Sequence, residues 1–167
     1  MTPLVSVLIT HPLRDSSIYD TGAANHVINN RQLLVPGTCK DFPYDDYLLV
    51  GDSLIKVVGR GKRIIKNALN GPDGLYTRDL VLYDVAFIPN FYINVISGYS
   101  IKKLGYWIYE KDNSLRWGEI DNSVIILNFL DKYGLLVVKY KPINRSYLHL
   151  PHSTAYIFST FRIGDAR

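Results

Sequence analysis

The residues of this chain that could do chemistry centre on Asp20, which follows a short apolar run and precedes Thr21, Gly22 and Ala23. A carboxylate at the end of a strand, followed by a hydroxyl side chain and then by small residues, lies on a tight loop that a substrate can approach closely. The tripeptide Asp-Thr-Gly also describes an ordinary turn. It therefore indicates a candidate site only if the rest of the chain is built to support one.

Hydrolysis of a peptide bond by carboxylates requires two aspartates that share one proton, because two like charges within hydrogen-bond reach cannot both be ionised. One group acts as a base towards a water molecule, while the protonated group polarises the scissile carbonyl. The motif occurs once, since Asp52, Asp73 and Asp165 continue as Asp-Ser-Leu, Asp-Gly-Leu and Asp-Ala-Arg. A catalytic Asp20 therefore needs the Asp20 of a second copy, in a two-fold symmetric homodimer.

Short strands separated by turns must position this loop. The alternation of apolar residues predicts strands at 3–10, 17–20, 106–109, 124–129 and 135–140, and hairpins over 47–59 and 62–85. One short helix is predicted over 99–105, where two lysines precede a terminal glycine. We therefore expect an all-β fold, a closed barrel with one short helix, over residues 1–140, and a tail of uncertain structure over 141–167.

The composition is that of a folded domain. Hydrophobic residues make up 47% of the 167 residues and charged residues 20%, and the 13 tyrosines favour strands. Cys39 is the single cysteine, so an intramolecular disulfide and a cysteine zinc cluster within one chain are excluded. No apolar run approaches the roughly 20 residues that span a bilayer, and the N-terminal run lacks the basic leader of a signal peptide. We expect a cytoplasmic location and no membrane partner.

Several further landmarks follow Asp20 in an order that resembles the retropepsin-like protease of Ty1/copia-type retrotransposon Pol polyproteins. The hairpin turn Gly51-Asp52-Ser53 and the strand Asn94-Val95-Ile96-Ser97 are two of them. The other matching segments are His26, Gly59-Arg60-Gly61, the run 84–89 and Leu104-Gly105-Tyr106. Together they cover roughly residues 17–140. Ala24 and Asn25 stand where retroviral relatives carry acidic residues, which favours the copia branch.

The resemblance implies a role for each matched segment. Asp20 would be the catalytic carboxylate, and Thr21, Gly22 and Ala23 would shape its loop. Val95 and Ile96, within the strand that begins at Asn94 and ends at Ser97, would pack beneath that loop, and the helix after them would support a dimer core. The hairpin turn of Gly51, Asp52 and Ser53 is the candidate flap that closes over substrate and excludes water.

Other residues with chemical potential have simpler interpretations. His149 and His152 have a metal-like spacing, but Pro151 lies between them and further ligands are missing, so we expect neither a metal nor a cofactor. The basic cluster of Arg60, Lys62, Arg63 and Lys66 is compatible with a solvated strand face or with phosphate contacts. In the tail, aromatic and basic residues alternate in a way that a stacking surface for single-stranded nucleic acid also shows.

The sequence therefore predicts an aspartic endopeptidase of the retropepsin type, formed by a homodimer and acting on a polyprotein. Its expected partners are a second copy of itself and a polypeptide substrate, with no nucleic acid, and its expected location is the cytoplasm or a retrotransposon particle. Two alternatives stay open. One is a catalytically inactive retrotransposon-derived β-barrel that serves as a dimerisation or interaction module, and the other is a basic nucleic-acid-binding domain.

Overall fold

The computed structural model describes residues 11–41 and 45–143, which form short strands and one short helix, α1 (Gly98–Lys103). The strands are β1 (Ser17–Asp20), β2 (Val27–Ile28), β3 (Lys40–Asp41), β4 (Tyr47–Val50), β5 (Ser53–Lys56), β6 (Gly59–Asn70), β7 (Thr77–Phe87), β8 (Asn94–Ser97), β9 (Tyr106–Tyr109), β10 (Ser114–Trp117), β11 (Val124–Asn128), β12 (Leu130–Lys132) and β13 (Leu135–Lys139). The prediction of an all-β fold with one short helix is confirmed.

The strands pair in three separate sheets. The largest has eight strands in the order β12-β13-β1-β8-β2-β7-β6-β3, the second has the order β11-β10-β9, and β4 pairs with β5 alone. The predicted closed barrel is not found among the described residues, because the eight-stranded sheet ends at β12 on one side and β3 on the other. These terminal strands have three and two residues, all exposed, and are too short to build a closing ladder.

A long antiparallel hairpin of β6 and β7 forms one half of the large sheet. Its register runs from Gly59 opposite Phe87 to Asn70 opposite Thr77, and the Gly71 amide donates to the Tyr76 carbonyl at 2.7 Å at the turn. The register shifts twice along the hairpin, which increases twist and bends the pair towards the core. The predicted hairpin is confirmed and is longer than the sequence indicated.

The centre of the large sheet is the parallel pair of β1 and β8, and successive residues of each strand face opposite sides of the sheet. Ile18 and Val95 pack into one buried apolar cluster, and Tyr19 and Ile96 pack into the other. All four side chains are at least nine-tenths buried. The two strands are therefore fixed from both faces.

Some elements differ from the predictions. The sequence placed a turn before residue 114 but no strand after it, whereas β10 lies between β9 and β11 and pairs with both. The predicted strand at 3–10 lies outside the described residues, as do residues 144–167 of the predicted tail and the histidines within it. Within residues 11–41 and 45–143, no helix has the length and apolar character needed to cross a bilayer.

Candidate functional site

Asp20 is the last residue of β1, and the parallel neighbour β8 determines where its loop lies. The register places Asp20 opposite Ser97, the last residue of β8, so the chain leaves both strands at the same edge of the sheet. After Asp20 the chain turns through the exposed residues Thr21 and Gly22 and returns to the core at Ala23, which is fully buried. The Asp20 carboxyl thus lies partly exposed at a sheet edge, with a buried anchor three residues later.

The Asp20 carboxyl is held by its own loop. Its Oδ1 accepts a hydrogen bond from the Gly22 amide at 2.8 Å, and its backbone carbonyl accepts one from the Ala23 amide at 3.3 Å. Burial raises the pKa of Asp20 above its ordinary value, and the amides of Gly22 and Ala23 oppose this rise without cancelling it. A carboxyl with a raised pKa retains a proton more readily, as one member of a proton-sharing pair must.

Ser97 connects the loop, β8 and α1 through three hydrogen bonds. Its hydroxyl donates to the Ala23 carbonyl at 2.7 Å and accepts from the Ser100 amide at 3.0 Å, so the same oxygen locks the loop and caps the helix. Its own amide donates to Nδ1 of His26 at 2.9 Å. Ser97 is fully buried, and its polar groups are satisfied by the loop and the helix that it joins.

His26 is a buried neutral imidazole. Its Nδ1 acts as an acceptor towards Ser97, which leaves the proton on Nε2. Burial, followed by the charge of Arg63, lowers the pKa of His26 from 6.5 to about 4. Arg63 is itself buried and donates from Nη2 to the Ser17 hydroxyl at 2.7 Å. His26 therefore supports β8 as an uncharged acceptor, and this contact identifies the structural role of a residue that the sequence only matched to a pattern.

Gly98, the first residue of α1, packs directly on the Asp20 loop. A Cβ built on Gly98 would lie 2.7 Å from the Cα of Thr21 and 2.8 Å from the carbonyl oxygen of Asp20, both of which are backbone atoms. The helix therefore approaches the loop backbone to backbone, at a distance that only glycine permits. The sequence analysis did not select Gly98, although a glycine between a buried strand and a helix was a signal for such an approach.

Asn94 anchors the other end of β8. Its side chain is fully buried, with Oδ1 accepting from the Asn29 amide at 2.9 Å and Nδ2 donating to the carbonyls of Ser16 and Arg14 at 3.0 and 3.2 Å. These bonds connect β8 to the segment that enters β1 and to the segment that leaves β2. Asn94 thus fixes the start of the strand pair, whereas Ser97 fixes its end.

The candidate flap residues Gly51, Asp52 and Ser53 lie at the exposed turn of the β4–β5 hairpin. Farther back on this hairpin, Leu48 and Val50 are buried in the same apolar cluster as Ala23 of the Asp20 loop. The hairpin therefore shares its packing with the site, although its strands pair only with each other.

Arg60 joins the base of this hairpin to the site. Its guanidinium donates to both carboxylate oxygens of Asp46, at 2.7 and 3.1 Å, and to Oδ1 of Asn25 at 3.2 Å. It also lies 3.3 Å from a carboxylate oxygen of Asp84, a residue with a φ of +54°. The Asp46 carboxylate, acting most strongly, raises the pKa of Arg60. One cation thus links the hairpin, the flank of the Asp20 loop and β7.

The basic cluster that the sequence offered as a phosphate contact is dispersed in the structure. Arg60 is committed to Asp46, Arg63 is 5% exposed beside Ser17, and Lys66 forms an ion pair with Asp79 at 2.7 Å. Lys62 lies over the ring of Tyr83, 5.5 Å from its centre. In the part of the chain that the structure describes, no group of three histidine, cysteine or carboxylate residues is placed to hold a metal ion.

The chain matches the family model of the Pol polyprotein β-barrel domain over residues 17–106, which is just over half of its length. The chain belongs to the Pol polyprotein β-barrel domain family. The match begins at the first residue of β1 and ends at the first residue of β9, so it includes the Asp20 loop, the flap candidate and α1. Searches of curated proteins and of solved structures find no match. The resemblance to a retrotransposon Pol protein is thus confirmed at the level of this domain family.

The structure of this Pol polyprotein β-barrel domain brings most of the predicted site residues together. Asp20, its loop and the strand Asn94–Ser97 form one continuous unit, and the candidate flap joins that unit through packing at its base. The sequence analysis missed Gly98 and the linking role of Arg60. It also missed Tyr92, whose pKa is raised by burial and then by the nearby Asp20 charge, and no local pattern marked that residue.

Replacing Gly98 with alanine should destabilise the domain, because the new methyl group would press on the backbone of Asp20 and Thr21. We expect a loss of about 1–3 kcal/mol in the free energy of unfolding, measured by urea denaturation. Lys103→Ala, in the same helix and exposed, is the matched control and should change the stability by less than about 0.5 kcal/mol. Equal stability of the two variants would contradict the close approach of α1 to the loop.

The stability of the domain should fall as the pH falls from about 6.5 to about 4, because unfolded His26 binds a proton that the folded state excludes. The contribution of this one group is up to about 3 kcal/mol over that window, and it is fully present above it. His26→Asn keeps an acceptor for the Ser97 amide and does not titrate. Urea denaturation at several pH values should show a shallower pH dependence for this variant, and parallel curves would contradict the assignment.

Removing the charge of Arg60 should loosen the β4–β5 hairpin. Arg60→Met retains most of the side-chain volume but leaves Asp46 without its two hydrogen bonds, at a cost of about 1–3 kcal/mol. Hydrogen exchange followed by mass spectrometry should show faster exchange in peptides that cover residues 45–58. Lys66→Met removes an exposed ion pair from the same strand and should cost at most about 1 kcal/mol. Equal exchange in both variants would refute the linking role of Arg60.

Proposed function

We propose that this chain is the aspartic endopeptidase of a copia-type retrotransposon Pol polyprotein. It acts as a two-fold homodimer in which each copy supplies Asp20. The substrate is a polypeptide, namely the polyprotein itself, and the reaction needs no cofactor. The place of action is the cytoplasm, within the particle that the polyprotein assembles.

One observation carries this proposal, which is that the Asp20 loop is built as a rigid, shaped site. An ordinary Asp-Thr-Gly turn needs no buried serine to lock its third residue onward and no glycine against its backbone. Here Ser97 bonds the carbonyl of Ala23, and Gly98 contacts both Asp20 and Thr21. Such support keeps a carboxyl in position to act on a substrate, as catalysis requires.

The chemistry follows from two such carboxyls facing each other. When the two Asp20 side chains lie within hydrogen-bond reach, they hold one proton between them, and the burial that raises the pKa of each assists this. The ionised carboxylate removes a proton from a water molecule, which attacks the scissile carbonyl carbon. The protonated carboxyl donates to the carbonyl oxygen, and the pair titrates as a unit rather than as two independent residues.

The candidate flap contributes by covering the bound substrate. The exposed turn at Gly51, Asp52 and Ser53 lies on a hairpin whose base is fixed by Arg60, so the turn can move while the base stays in place. Closure over the peptide would exclude bulk water from the carboxyl pair and strengthen its electrostatic action.

A non-catalytic domain of the polyprotein is the second candidate. The matched family is described by its barrel fold within a Pol polyprotein, and this description applies equally to a domain that only dimerises or binds. In that case Asp20 would be a turn residue, and the bonds of Ser97 and Gly98 would serve stability alone. Nucleic-acid binding has less support, because Arg60, Arg63 and Lys66 are engaged within the fold.

Asp20→Asn should abolish hydrolysis of peptides that span the junctions of the polyprotein, assayed at mildly acid pH. General acid–base groups of this kind contribute about 10²- to 10⁴-fold to the rate, so kcat should fall by at least that range's lower bound. Asp131→Asn, an exposed carboxylate of β12, is the matched control and should retain the wild-type rate. A pepstatin-type inhibitor should block the wild-type protein.

Mixing the two proteins tests the shared site directly. After subunit exchange in an equal mixture of wild type and Asp20→Asn, the activity per wild-type chain should fall to about half, because half of the wild-type chains then lie in mixed dimers. Unchanged activity per wild-type chain would exclude a shared carboxyl pair. Wild-type protein that hydrolyses none of the junction peptides would favour the non-catalytic domain.

A further inference from the structure

A cleft beside the Asp20 loop is lined largely by aromatic side chains. Its volume is about 380 Å³, and Thr21 of the loop and Gly98 of α1 form one wall. The rest of its lining includes Tyr99, Lys102, Tyr106 and Trp107. The cleft therefore opens next to the residue that follows the candidate catalytic carboxyl.

We propose that this cleft and the apolar side chains around it form the docking surface for the second copy of the chain. The inference rests on the proposed function, since that function requires a second Asp20, and it adds where on the surface the second copy binds. It assigns an interface role to Tyr99 and Leu104, on and just after α1, and to Trp117 of β10.

The exposure of these side chains supports an interface. Tyr99 is 50% exposed, Leu104 59% and Trp117 56%. Trp117 lies opposite Tyr106 in the sheet, and its indole nitrogen is 3.9 Å from the position of a Cβ on Gly105. The three large apolar groups are thus grouped around the end of α1 and the start of β9. A contiguous apolar patch of this kind, with charged residues such as Lys102 and Lys103 near it, is typical of a protein–protein contact.

The edge strand β9 indicates that the occupant is a polypeptide. The sheet order β11-β10-β9 places β9 at an edge, and its four residues are each partly buried. An edge strand presents backbone donors and acceptors that another chain can pair with, and native proteins seldom leave such an edge beside an apolar surface uncovered. A small ligand would leave these backbone groups unused, whereas a second protein chain can satisfy them.

The geometry of the site selects a second copy among possible polypeptides. Two Asp20 carboxyls that share a proton lie within about 2.6–3.2 Å of each other. At that distance the symmetry axis passes next to Asp20, and the second copy must contact Thr21, the adjoining exposed residue. Because Thr21 is a wall of the cleft, a copy placed there covers the cleft as well. The requirement of the chemistry and the location of the apolar surface therefore agree.

Sedimentation velocity of the full-length chain over a range of concentrations tests this surface. Wild-type protein should form a dimer, and Tyr99→Glu and Leu104→Glu should each weaken dimerisation by about tenfold or more, because each places a charge in an apolar contact. Leu75→Glu and Tyr133→Glu, at turns with 86% and 62% exposed side chains, are the matched controls and should dimerise like wild type. Circular dichroism and thermal denaturation should show that all four variants fold, since the four positions are exposed.

A cysteine at position 21 provides a second measurement that does not depend on activity. In a Cys39→Ser background the chain has no other thiol, and Thr21→Cys should form an intermolecular disulfide on mild oxidation. This requires Cα atoms about 4.4–6.8 Å apart, as expected for residues beside the symmetry axis. Leu75→Cys in the same background should stay monomeric on a non-reducing gel.

The outcomes separate this inference from the proposed function. A dimer that is weakened by the two patch variants and trapped by Thr21→Cys supports the interface even if no peptide is hydrolysed. Hydrolysis that depends on Asp20, together with a dimer that neither patch variant weakens, would overturn the interface while the proposed function stands. A wild-type chain that stays monomeric at the highest concentration, and whose Thr21→Cys variant forms no disulfide, would overturn the interface and the shared site.

Discussion

The structure depends on the parallel pairing of β1 with β8, which places Asp20 opposite Ser97 at one edge of the large sheet. The two strands come from segments more than seventy residues apart, and each buries residues on both faces. Their common end leaves a loop and a helix side by side, and Ser97 and Gly98 join them. A single hydroxyl locks the loop and caps the helix, and the absence of a side chain at Gly98 allows the contact.

The same burial has opposite effects on the two titratable groups near this junction. It raises the pKa of Asp20, which favours a shared proton, and it lowers the pKa of His26 to about 4, which keeps the imidazole neutral as an acceptor for Ser97. Acid conditions that protonate the carboxyl pair therefore also begin to charge His26. The pH range in which the site can work is limited on its acid side by the stability of the strand that supports it.

Charged residues that look alike along β6 have different roles in three dimensions. Arg60 reaches two carboxylates and an asparagine and ties the β4–β5 hairpin to the rest of the domain, whereas Arg63 is buried beside Ser17 and contributes to the low pKa of His26. The hairpin is otherwise paired only with itself. Arg60 therefore connects its position to the flank of the Asp20 loop.

The sequence by itself determined the all-β character, the two hairpins, the helix that ends at Gly105 and the candidate carboxyl, because these follow from alternation, turn residues and short motifs. It also indicated that one Asp-Thr-Gly would be half of a site. Only the tertiary structure decided that the strands form three sheets rather than one closed barrel, that β10 lies between β9 and β11, and that Gly98, Tyr92 and Arg60 are near the site. These features arise from contacts between distant segments, and local residue patterns carry no information about which segments meet.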